Sequence, residues 1–133
     1  MVYSKEIGFR TAKRSCWFDL TRQVAALAVS SGIENGLCVI SSLHTTGGVT
    51  LNENADPDVE LDFFYKLDKI FDRDPAFQHI EGNSDSHIKT SLVGLSATVP
   101  LRNSKLVLGT WQSIYFCEFD GPRNRQVNVT IIG

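Results

Sequence analysis

Hydrophobic residues recur along this chain with two different periods, and the switch between them marks out the elements. Residues 2 to 9 alternate, with Tyr3, Ile7 and Phe9 on one face beside Lys5, which predicts a strand near a sheet edge. Asp19 is placed to cap a helix whose stripe, Leu20, Val24, Leu27 and Ala28, ends near Gly32. Leu37 to Ser42 is a short β-branched run that reads as a buried strand and delivers His44 at its C-terminal end. Asp56 and Pro57 fit the N-cap and first position of a second helix. Asp58 and Glu60 put negative charge where the helix dipole favours it, and Val59, Phe63, Leu67, Ile70 and Phe71 form the apolar stripe. Residues 73 to 85 are loop-rich. Ser84 or Asp85 then caps a short helix, His87 to Val93, stopped by Gly94.

The strand period returns in the last third. Ser96 to Leu101 is one strand, Leu106 to Phe119 a long aromatic one, and Arg125 to Ile132 sets Val127, Val129 and Ile131 against Gln126, Asn128 and Thr130. Asp120-Gly121-Pro122 marks a turn. Strands at both ends with two or three helices between them predict an α+β fold rather than parallel βαβ units. Alternating strands suit mostly antiparallel pairing with one wet face. No repeat, low-complexity tract or linker interrupts the chain, and 133 residues fit one domain, 1–133.

Composition removes several classes. Hydrophobic residues are 42% and charged residues 21%, ordinary for a globular protein. A net charge of -2 provides no basic field for nucleic acid, and aromatics are not interleaved with lysine or arginine. No apolar run approaches the roughly 20 residues of a membrane span, and the start of the chain lacks the basic-then-apolar order of a signal peptide. Cys16, Cys38 and Cys117 are widely spaced and flanked by apolar residues, so buried free thiols in a cytoplasmic protein are expected.

Three stretches could carry chemistry. In the first, His44-Thr45-Thr46-Gly47-Gly48 follows a strand, and its glycines would let backbone approach a ligand or form an anion nest; a hairpin turn is the alternative. In the second, His79-Ile80-Glu81-Gly82-Asn83-Ser84-Asp85-Ser86-His87 places two histidines around a helix start, with Glu81 and Asp85 available to orient metal ligands. Its spacing matches no standard zinc signature, and solvated histidines in a capping turn are the alternative. In the third, Gly109 to Arg123, alternation puts Thr110, Gln112, Ile114, Phe116 and Glu118 on one face. A glutamate among apolar neighbours must pair with a base such as Arg123, move protons or bind a metal. Arg123 has the planar fork to clamp a phosphate or carboxylate.

Together these stretches resemble the YjbQ family, also called secondary thiamine-phosphate synthase enzymes. The matching segments are Ser42 to Thr46, Val49 to Pro57, His79-x-Glu81-Gly82-Asn83-Ser84-Asp85-x-His87, Leu108 to Gln112 and Glu118 to Arg123, nearly the whole chain. Gly47 and Ser86 stand where the family often has alanine, and Ser113 where glycine is common, each one small residue for another. The resemblance implies an α+β fold built on a β-sandwich, assembled as a homotrimer. It also implies a thiamine phosphate synthase activity of low efficiency, which joins a pyrimidine-methyl pyrophosphate to a thiazole phosphate and expels pyrophosphate.

On this reading His44, His79 and His87 converge on one divalent cation, with zinc the leading candidate, because three imidazoles with an open position describe a catalytic site. Glu53, Asp85 or Glu118 handles protons. Thr45, Thr46, Asn52, Gln112 and Arg123 hold the phosphorylated substrate. Lys89 and Arg123 are the only nearby bases, so a neighbouring subunit would supply more. Two rivals stand beside it: a non-catalytic trimeric module binding a small anion, and a metal-dependent hydrolase.

Overall fold

Two antiparallel sheets face each other in the computed structural model, which describes all residues from 1 to 133. In chain order the elements are β1 (Val2–Arg10), β2 (Cys16–Asp19), α1 (Thr21–Ser30), β3 (Gly36–Ser42), β4 (Gly47–Glu53), α2 (Pro57–Ile70), α3 (Ser84–Val93), β5 (Ser96–Arg102), β6 (Lys105–Leu106), β7 (Gln112–Glu118) and β8 (Asn124–Ile132). The larger sheet runs β1-β8-β3-β5-β6 and the smaller β2-β7-β4. Every pairing is antiparallel, and β1 occupies the edge that its charged residues suit.

The main core lies between the sheets. Ile40, Val99, Val127, Val129 and Ile131 from the larger sheet pack with Val49, Ile114 and Phe116 from the smaller, and α1 adds Val24 and Ala28. A second cluster sits on the other face of β7, where Cys117 and Phe119 meet Phe64, Phe63 and Leu67 of α2 together with Trp17. Ser113 to Glu118 are therefore all buried, although the alternation along β7 is intact. Burial of each such apolar side chain is worth about 1.5–3 kcal/mol.

Helix α2 begins as its sequence dictates. Asp56 accepts a 2.9 Å hydrogen bond from the Asp58 amide, and Pro57 follows it. Its buried stripe is rotated from the expected one: Phe64 is buried while Ile70 is 57% exposed, because the helix docks on Trp17 and Phe119. No helix is long and apolar enough to cross a membrane.

The remaining differences have local causes. β2 is only four residues long, too short to announce itself. It moves Asp19 one position ahead of the α1 cap, which is Leu20, although Asp19 still accepts from the Thr21 amide at 2.9 Å. α3 starts at Ser84 with Asn83 at the cap position, so Ser84 and Asp85 lie inside its first turn. The expected strand from Leu106 to Phe119 is divided by a turn that leaves Trp111 61% exposed. Cys38 and Cys117 are buried as expected, but Cys16 is half-buried; all three are free thiols.

Gly47 and Gly48 open β4 rather than a ligand loop, since tight packing, not a ligand, demands their size. A Cβ on Gly47 would come within 2.2 Å of Phe116 Cζ, and one on Gly48 within 2.3 Å of the Gly94 carbonyl oxygen. The anion nest expected at these glycines is thus replaced by a strand start. The neighbouring His44 amide is engaged by Ser42 Oγ at 3.2 Å.

Candidate functional site

A small cleft of about 280 Å³ opens where the β3–β4 turn, the segment before α3 and the β7–β8 turn meet. Thr45 and Thr46 line one side, His79, Glu81, Asn83 and His87 another, and Arg123 and Arg125 the third. No apolar residue contributes. The imidazoles of His79 and His87 approach edge to face, with ring centroids 5.3 Å apart. Arg123 is anchored by Asp120, donating from Nε to its carbonyl oxygen at 2.8 Å and from Nη2 to Oδ2 at 3.0 Å. Half its side chain remains exposed to meet a ligand.

His44 lies beside this cleft, not in it. Its ring borders a second hollow of about 520 Å³ with Gly8, Phe9 and Asn124, and Arg125 separates the two. His44 Nε2 accepts from the Gln126 amide at 2.8 Å, which commits that nitrogen to the backbone of β8. Burial and the positive charge of Arg125 hold the imidazole below its ordinary titration range. The expected convergence of all three histidines is therefore reduced to a pair, His79 and His87. No group of three or more histidine, cysteine or carboxylate side chains is placed to hold a metal.

Glu118 lies beneath the cleft with no exposed surface. Its partner is Arg125 rather than the expected Arg123. Nε of Arg125 donates to Oε2 at 2.7 Å, and Nη2 contacts Oε1 closely. Thr11 Oγ1 at 2.7 Å and the Asp120 amide at 3.0 Å complete its shell. Arg125 also donates to Thr46 Oγ1 at 2.9 Å and lies over the Phe116 ring at 5.6 Å. With every acceptor engaged, Glu118 fixes Arg125 and the Thr46 turn, which leaves it no free lone pair for proton transfer. Sequence reasoning missed Arg125. The available signal was a charged residue in the apolar phase of β8, in line with Val127, Val129 and Ile131.

Asp85 faces away from the histidines. It borders a different hollow with Arg14 and Asp68, and accepts from Arg14 Nη2 at 3.1 Å. Lys89 Nζ is 3.5 Å from Asp85 and 2.6 Å from Asp68, so this buried lysine is not free for a ligand. Burial alone would raise the Asp85 carboxyl, but the Arg14 hydrogen bond and the charges of Arg14 and Lys89 outweigh it and hold the group below the usual carboxylate range. Asp85 therefore ties α3 to the β1–β2 loop and holds Lys89, which reaches α2 through Asp68, instead of orienting a metal ligand.

Asn52, Glu53 and Gln112 lie at the far end of the smaller sheet. In the β4–β7 register Gly47 pairs with Glu118 and Glu53 with Gln112, so the seven residues of β4 separate these ends. At the usual rise of a strand that is roughly 20 Å. Within one chain these three residues cannot join the histidine pair. Glu53 instead borders an acidic hollow with Asp19, Asp56 and Glu60.

The YjbQ-like UPF0047 protein family matches residues 5–133. The chain belongs to that family. It is 45% identical to the UPF0047 protein YugU of Bacillus subtilis over 97% of this chain and 98% of that one. It is 47% identical to a UPF0047 protein of Methanocaldococcus jannaschii over 100% of this chain and 95% of its relative. Among solved structures, a YjbQ/UPF0047 protein from Clostridium acetobutylicum superposes with a TM-score of 0.94 at 48% identity, covering 96% of this chain and 99% of that one. One from Sulfolobus solfataricus, described as of unknown function, reaches 0.95 at 34% identity over 100% and 98%. The YjbQ-like fold is thus shared along the whole chain, and the cleft lies within the matched region.

Proposed function

We propose that this protein binds a small phosphorylated molecule in the cleft between Thr45–Thr46, the His79–His87 pair and Arg123. The observation that carries the reading is the lining itself. An exposed guanidinium, two imidazoles and two threonine hydroxyls share the lining with Glu81 and Asn83 around a small space with no apolar wall. Such donors suit phosphate oxygens, and the fork of Arg123 suits them geometrically. Both arginines are paired, but Arg125 is buried on Glu118 while Arg123, held by Asp120, keeps half its side chain exposed, so Arg123 is the guanidinium within a ligand's reach.

Titration calorimetry with inorganic phosphate and pyrophosphate tests the reading. Wild type should bind. His79→Ala, His87→Ala and Arg123→Ala should each weaken binding by about tenfold, the scale of one hydrogen bond to a charged group. Wild-type protein that ignores both anions would overturn it.

The 5.3 Å between the His79 and His87 rings favours a second reading, in which they share one divalent ion. At zinc–nitrogen distances near 2.0–2.1 Å, two imidazoles on a tetrahedral ion have centroids about 5 Å apart. Bound there, the ion would neutralise leaving pyrophosphate, the chemistry a thiamine phosphate synthase needs. Condensation assays with both thiamine precursors distinguish a synthase from a binding module. Metal analysis of untagged protein and of its His79→Ala variant tests the ion, and hydrolysis of simple phosphoesters tests the hydrolase. A homotrimer is part of this reading, in which a head-to-tail ring would bring one copy's Asn52, Glu53 and Gln112 to the next copy's cleft.

A further inference from the structure

We infer that the ligand of this cleft carries a hydrogen-bond donor close to its phosphoryl group and that Asn83 recognises that donor. The inference rests on the phosphate reading above. Asn83 lines the cleft yet is only 6% exposed. Its Nδ2 donates to Asp120 Oδ2 at 2.7 Å. An ionised carboxylate can only accept, so this bond fixes which way the amide faces. Oδ1 is the other end of that amide, and it is buried without any hydrogen-bond partner.

A buried acceptor without a partner is costly, and native structures almost always satisfy one. The amide cannot simply turn over, because that would set two oxygens against each other at Asp120. Asp120 is itself fixed, since it accepts from Arg123 Nη2 at 3.0 Å and lies 4.0 Å from Arg14 Nε. One carboxylate thereby positions both a donor for the phosphoryl group, Arg123, and an acceptor beside it, Asn83. A fully ionised phosphoryl group offers only acceptors and cannot satisfy Asn83 Oδ1. A hydroxyl or ammonium a few bonds from the phosphorus can. The ligand class is therefore a hydroxyalkyl or aminoalkyl phosphate rather than a plain alkyl phosphate.

The test compares ethyl, 2-hydroxyethyl and 2-aminoethyl phosphate by calorimetry at pH 8, where a phosphate ester has lost its own P–OH donor. The wild-type protein should bind the two donor-bearing esters about tenfold more tightly than ethyl phosphate. Asn83→Ala should bring all three together. Equal affinities in the wild type would overturn the inference while leaving the phosphate reading intact, and the wild-type comparison stands even if the variant fails to fold. A preference that survives Asn83→Ala would also overturn it. So would one that requires added zinc and disappears with a chelator, because the oxygen would then be a metal ligand. Failure of all three esters to bind would instead remove the phosphate reading itself.

Discussion

The imidazole of His44 stands in for a backbone carbonyl. The β3–β8 ladder pairs Ser42 with Val127 and continues with the Leu43 amide donating to the Gln126 carbonyl at 3.3 Å. The Gln126 amide then turns to His44 Nε2. Protonating that nitrogen would remove the acceptor, in keeping with the depressed titration that burial and Arg125 impose. Below the ordinary value of 6.5 the unfolded chain takes up a proton that the folded ring refuses, so stability falls as pH drops through this range. His44→Gln retains an acceptor without the titration. Urea midpoints of the wild type should fall from pH 7 to pH 5 by more than those of the variant; equal falls would contradict this role. The histidine was conspicuous in the sequence, but its role was not, because the role depends on an amide 82 positions away.

Among the elements, β7 and β8 are joined by more than their turn. The Glu118–Arg125 pair crosses from one sheet to the other, and Thr11, just after β1, closes it from above. Removing one member strands the other as a buried charge, so Glu118→Leu or Arg125→Met alone should cost about 3–5 kcal/mol. The double variant should lose much less than the sum, as read from denaturant midpoints; simple additivity would show that the pair is not coupled. Elements with strong local signals were legible. Asp56-Pro57 announces α2, and the alternation from Val127 to Ile131 announces β8. Elements fixed by distant packing were not. β2 is four residues long, and β4 opens on two glycines that read as a loop until Phe116 and Gly94 press against them.

Across the whole molecule, the sandwich decides which motifs can meet. It gathers Thr45, Thr46, His79, His87 and Arg123 at one end of the smaller sheet and sends Asn52, Glu53 and Gln112 to the other. Sequence motifs identified both sets but held no information on their separation, because the strand that divides them opens on glycines that read as a ligand loop or a hairpin turn. Sedimentation should show assembly at three times the 14.8 kDa chain mass, and Glu53→Lys at the acidic end should weaken it; a monomeric wild type would contradict the ring. The most direct test of the central claim is an NMR titration of the three imidazoles with pyrophosphate at pH 6. The account predicts that the His79 and His87 ring resonances move together and saturate, while His44, held by the Gln126 amide, moves much less. Unchanged His79 and His87 resonances, or a response confined to His44, would contradict it.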